Sequence, residues 1–144
     1  MTCSEFLSLI QNRNAKIMRP AGANQIILLN AALQQRRYAI LPKPILDLYK
    51  YVGAINIDSG YIFGPNETPR QNTYPIPGIL QINDDIAPYG KTAGKTVFGR
   101  NDLFWFAFDA FGNFYMLDNL TLTPLRKYED AYKCMFDCLI AGKF

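Results

Sequence analysis

The chain has 144 residues, 49% of them apolar and 14% aromatic, with only 19% charged. That is enough apolar material for one buried core and too little charge for a disordered segment. The net charge of +3 is spread along the chain, with Arg36-Arg37 far from Arg126-Lys127, which argues against a nucleic-acid partner.

Thr2 and Glu5 have capping-box spacing, and Phe6, Leu9 and Ile10 follow at helical spacing, so a short first helix is predicted. Arg19-Pro20-Ala21-Gly22 interrupts it. A second helix is predicted from Asn24 to Arg37 on Ile26, Leu29 and Leu33, with Ile27 and Leu28 widening the stripe. Leu41-Pro42-Lys43-Pro44 then places prolines in the first turn of a third helix running through Ile45, Leu48 and Tyr49 to Tyr51. Ile55, Ile57, Tyr61 and Phe63, broken by Asp58-Ser59-Gly60, read as a strand or a tight hairpin.

Residues 65–77, punctuated by Pro65, Pro69, Pro75 and Pro77, form a long loop of the kind that is often functional. Ile79 to Ile82 is too short a run to decide between strand and helical turn, and Asp84-Asp85 and Pro88-Tyr89-Gly90 read as loop. Three strands follow: Thr96 to Phe98, Leu103 to Phe108 and Phe114 to Leu117, the last two joined by a turn over Asp109 to Asn113. Thr121 to Thr123 adds a fourth, ended by Pro124. A closing helix is predicted from Tyr128 to Ile140, with Tyr128, Tyr132, Met135, Phe136 and Leu139 on its apolar face, a Glu129–Lys133 pair, and Gly142 as its stop. Helices, then an antiparallel meander, then a helix make an α+β protein. No repeat or linker divides it, so residues 1–144 read as a single domain.

Gly90-Lys91-Thr92-Ala93-Gly94-Lys95-Thr96 ends like a phosphate-binding loop. However, three residues separate its glycines where four are needed, and it precedes a strand rather than a helix. The chain has no histidine, which removes Ser-His-Asp and Cys-His triads and every His-ligated metal centre. Cys134 and Cys138 sit at i,i+4 off the centre of the apolar stripe and read as small residues flanking a helix–sheet contact. No catalytic residue, metal or cofactor is assigned. Adjacent carboxylates Asp84 and Asp85 leave a small hydrolase as an alternative, while Asp58, Asp102, Asp109 and Asp118 read as turn-formers. The three cysteines make no disulfide framework, the start has no secretory pattern, and no run approaches the ~18 apolar residues of a spanning helix. Cytoplasmic residence without a membrane partner is therefore the expectation.

Strand alternation sends Phe104, Phe106 and Phe108 to one face and Trp105 to the other, where Trp105 is either covered or exposed. Trp105, Tyr74, Tyr89 and Arg100 are the candidate binding residues. The tyrosines and the arginine lie in or beside predicted loops, where binding residues concentrate.

Two stretches carry a resemblance. One is Leu41-Pro42 with Ile45-Leu46-Asp47-Leu48-Tyr49, followed by Gly60-Tyr61-Ile62-Phe63-Gly64. The other is Val97-Phe98-Gly99-Arg100, Leu103 to Phe108, the Asp109–Gly112 turn and Phe114 to Asp118, closed by the helix bearing Tyr128, Met135 and Leu139. From about Leu41 onward the chain resembles the SUKH superfamily. It departs from many members in having Val52-Gly53-Ala54 where they carry an Asn-Gly pair. The resemblance implies helices packed on a bent sheet, no enzyme activity, and a protein partner such as a toxin domain, since bacterial members are similar to immunity proteins. Yeast members imply regulation of cell-wall glucan synthesis as the alternative. No site residues follow from the resemblance.

Overall fold

The Thr2 hydroxyl accepts the Glu5 N–H at 3.1 Å and donates to the Glu5 carboxylate at 3.1 Å, so the first helix is capped by its own first turn. In the computed structural model, which describes residues 1–89 and 94–140, this helix, α1, spans Cys3–Gln11 and buries Phe6 and Ile10. A two-residue strand β1 (Lys16–Ile17), helix α2 (Ala23–Gln35) and helix α3 (Lys43–Tyr49) follow. Next come strands β2 (Ile55–Ile57) and β3 (Gly60–Ile62), and helix α4 (Ile79–Ile86) with a 3-10 turn at Ala87–Tyr89. The chain then runs through β4 (Lys95–Arg100), β5 (Phe104–Asp109), β6 (Phe114–Asp118) and β7 (Pro124–Tyr128) to helix α5 (Ala131–Ile140).

The seven strands form one antiparallel sheet whose spatial order is the sequence order. The fold is α+β. Pairing slips at Val97/Gly99 and at Met116/Leu117, the kind of irregularity that bends a strand and increases its twist. The predicted hairpin after β5 is held by Asp109, whose carboxylate accepts the N–H groups of Phe111 and Asn113, both at 2.9 Å. Gly112 supplies the positive φ of +80° that this turn needs.

Helix α5 lies across one sheet face, and two glycines let it come close. A Cβ on Gly99 would stand 2.7 Å from the Tyr61 carbonyl and 2.8 Å from Cys138 Sγ; one on Gly60 would stand 2.9 Å from the Cys138 carbonyl. Phe106 and Phe108 point to this side. Phe98, Phe108 and Phe114 meet in a ring cluster with centroids 5.4–6.1 Å apart, each burial contributing about 2–3 kcal/mol. Helix α1 joins through Phe6 against Tyr132, and α3 through Pro44, whose carbonyl accepts the Tyr132 hydroxyl at 3.2 Å.

Several expectations are corrected. Ile27 and Leu28 do not widen the buried stripe of α2; they are 65% and 68% exposed, because only Leu29 and Leu33 turn to the core. Asp84 and Asp85 lie inside α4 rather than in a loop. The last strand begins at Pro124 instead of ending there: proline is tolerated as a first strand residue, and Leu122, at φ 59°, belongs to the preceding turn. Tyr128 closes β7, and α5 starts at Ala131, so Lys133 pairs with Asp137 at 3.2 Å and not with Glu129. Cys134 and Cys138 are, as expected, small residues at the contact of α5 with the sheet, but they are fully buried there rather than off the centre of the buried stripe. Gly142 and residues 90–93 of the glycine-rich segment lie outside the described residues; Lys95 and Thr96 open β4. No helix among the described residues is long and apolar enough to cross a membrane.

Candidate functional site

The sheet face opposite α5 follows from the register. Tyr61 on β3, Arg100 on β4, Trp105 on β5 and Leu117 on β6 stand directly across from one another, so their side chains share that face. The same alternation adds Lys95, Tyr115 and Lys127. Cations dispersed along the sequence are thus gathered by strand pairing, and the even spread read from the sequence conceals this.

Trp105 is covered: it is 9% exposed, and the Arg100 guanidinium carbon sits 4.5 Å from its ring centroid. Such a cation–π contact contributes about 0.5–2 kcal/mol and holds the guanidinium over the indole. Arg70, from the proline-rich loop, repeats the arrangement on Tyr61. Its guanidinium carbon lies 5.4 Å from that ring, Nη1 donates to the Tyr61 hydroxyl at 3.2 Å, and Nε donates to the Tyr74 carbonyl at 2.9 Å. The loop is closed at its base by paired hydrogen bonds between Thr68 and Ile76, both 2.8 Å. Between loop and sheet is a cleft of about 320 Å³ lined by Tyr61, Phe63, Arg70, Ile76, Arg100 and Asp102, among others.

Arg70 uses two of its donors within the chain. Arg100 uses none among the described residues: no hydrogen bond or ion pair engages its guanidinium, which is half-buried on the indole. This sets the cleft apart from the groove between α2 and α3, about 660 Å³ and lined by Ile26, Ile27, Leu46 and Tyr49. There the rim cations Lys43 and Lys50 both engage Asp47, at 2.7 and 3.5 Å.

Of the four candidate residues, Arg100 and Trp105 are brought into contact. Arg100 is the last residue of β4, beside the short connection to β5, as expected. Tyr74 is joined to the pair's surroundings through its backbone, while its side chain is 85% exposed. Tyr89 stands exposed on the turn after α4 and does not line the cleft. Sequence reasoning did not single out Tyr61 and Arg70 as site residues. Tyr61 was legible as the outward residue of a short strand, but the contact of Arg70 depends on how the loop folds back.

Several of the carboxylates and thiols considered for other chemistry are engaged or buried. Asp84 accepts the Tyr38 hydroxyl at 2.7 Å and pairs with Arg36 at 3.1 Å. Burial, then the hydrogen bond to Asp84, pushes the Tyr38 hydroxyl pKa up to about 12. Burial pushes the Cys134 and Cys138 thiols well above their usual range, away from thiolate character. Asp118 accepts the Thr121 and Leu120 N–H groups, which hold its carboxyl below the usual value, and so serves the turn before β7. Among the described residues no three Cys, Asp or Glu side chains stand close enough together to hold a metal ion.

The chain matches no known family model, and none of the curated proteins matches it.

Proposed function

We propose that this protein is a non-enzymatic protein-binding module of the SUKH type, residing in the cytoplasm and acting as an immunity protein that neutralises a bacterial toxin. One observation carries the binding part: the half-buried Arg100, stacked on Trp105 at 4.5 Å, faces a cleft with none of its donors engaged among the described residues. Arginine and aromatic side chains are the residue types enriched at protein interfaces and their energetic centres. Tyr74, exposed on the loop beside the cleft, adds a further aromatic contact. The order of helices, antiparallel meander and closing helix is the architecture that the resemblance implies, and it supports the family part.

The non-enzymatic part is supported by what holds the reactive groups: Asp84 is engaged by Arg36 and Tyr38, and two thiols are buried. The test is co-expression with each toxin encoded beside the gene. Growth rescue by the intact protein, with a stable complex on gel filtration, is expected. Failure to rescue or bind every neighbouring toxin overturns the immunity reading.

A further inference from the structure

We infer that the cleft lined by Arg100 is a carboxylate-binding site, in which an Asp or Glu side chain of the partner protein seats on the guanidinium that Arg100 holds over Trp105. This rests on the protein-binding reading above and adds the chemistry of what is bound.

A guanidinium already occupies a face of Trp105 and a face of Tyr61, and Trp105 is itself 9% exposed. Stacking of an incoming nucleobase or aromatic ligand on the indole is therefore blocked. What remains available is the Arg100 fork itself, whose guanidinium carbon is held 4.5 Å from the indole centroid with no donor engaged among the described residues. A planar fork with free, parallel N–H donors matches the two oxygens of a carboxylate. Partial burial strengthens such a pair, because the surrounding dielectric is lower than water.

The local charge points the same way. Lys95 and Lys127 share this sheet face; the one carboxylate that register places among them, Asp109 opposite Lys95, is taken up by the Phe111, Asn113 and Tyr115 donors, so the cations still draw an acidic segment. Asp102 lines the same cleft. Its negative charge opposes a dianionic phosphate more than a singly charged carboxylate. The opening of about 320 Å³ suits one acidic side chain and its flanking backbone rather than a strand of nucleic acid.

Trp105 is the only tryptophan, so its fluorescence reports on this site alone. The protein is titrated with a short poly-glutamate peptide, with inorganic phosphate, and with a single-stranded oligonucleotide. A saturable change with the peptide is expected, weakened about tenfold or more in Arg100→Lys, which keeps the charge and loses the fork. Asp102→Asn is expected to tighten peptide binding by about two- to threefold, a gain that misfolding cannot produce. No saturable response to the peptide, an undiminished response in a folded Arg100→Lys variant, or tighter saturation by phosphate or the oligonucleotide overturns the inference. A toxin that binds Arg100→Lys as tightly as the wild type overturns the carboxylate inference alone. Peptide seating at Trp105 without any toxin partner overturns the immunity reading alone.

Discussion

Asn83 and Val97 exchange a pair of hydrogen bonds: the Val97 N–H donates to Asn83 Oδ1 and Asn83 Nδ2 donates to the Val97 carbonyl, both at 2.8 Å. The amide thus does for β4 what a neighbouring strand would do. β3 pairs with β4 only at Arg100 and Gly99, with one further bond from the Phe63 N–H to the Phe98 carbonyl, and then leaves. Asn83 is buried and also donates to the Ile79 carbonyl at 2.7 Å. Asn83→Leu keeps the volume but strands two buried backbone groups. It is expected to cost about 3 kcal/mol, at about 1–3 kcal/mol for each unsatisfied group. Urea unfolding followed by circular dichroism should show a lower midpoint at an unchanged slope; an unchanged midpoint would count against this role.

Gly99→Ala forces a Cβ against the Tyr61 carbonyl at 2.7 Å and Cys138 Sγ at 2.8 Å. Backbone on one side and the packed helix α5 on the other leave little room to yield. A loss of about 2 kcal/mol is expected, in the range of overpacked cores. Gly22→Ala meets nothing within 4 Å and loses only the N-cap of α2, so it should cost about 1 kcal/mol or less and clearly less than Gly99→Ala in the same urea series.

The thiols should divide into two classes. Burial raises all three thiols, but Cys3 is only half-buried whereas Cys134 and Cys138 are fully buried, so accessibility separates them. Native protein treated with an alkylating reagent should be modified at Cys3, with Cys134 and Cys138 reacting only in denaturant. Mass spectrometry of peptides reads this directly, and early labelling of Cys138 would contradict the packing described.

Acid should destabilise the fold through depressed carboxyl groups. At Asp109 burial works against the hydrogen bonds from Asn113, Tyr115 and Phe111, and the bonds win, so its pKa lies below the usual value. Asp118, held by Thr121 and Leu120, and Asp47, held mainly by Lys43, are lowered too. For a folded-state pKa below the unfolded one, the unfolded chain binds more protons in the interval between them, so stability rises with pH across it. The contribution is full above about pH 5, where the unfolded carboxyls are fully ionised, begins to fall as they protonate near pH 4, and is lost as pH falls through the folded values. With no histidine, no imidazole adds a step between about pH 5 and 8. Melting temperatures should be flat from neutral pH down to about 5 and fall steeply below about 4; a step near pH 6 would contradict this.

Local signals in the chain were sufficient where one residue's neighbours decide its structure. The Thr2–Glu5 cap, the proline start of α3 and the Asp109–Gly112 turn were legible for that reason. They failed where a distant partner intervenes. Asp84 near the C-terminal end of α4 is unfavourable to the helix dipole and reads as a turn, yet Arg36 and Tyr38 from beyond α2 neutralise and bond it. β7 has four exposed residues and no alternation, so its apolar pattern carries no strand signal; pairing with β6 defines it. The site divides in the same way. Arg100 and Trp105 stand close on adjacent strands and were nameable from sequence. Tyr61 and Arg70 reach them only through sheet register and the closure of the loop.

The sheet is open, and its two outer strands are built differently from its centre. β1 is two residues long, while β7 begins with Pro124 and carries Arg126 and Lys127. Short, charged or proline-bearing borders discourage further strands from adding. A meander laid down strictly in chain order would otherwise be an easy template for a neighbouring copy. Composition at both edges thus disfavours addition of a further strand, which leaves the broad aromatic and cationic face, rather than the backbone, as the surface the molecule presents to others.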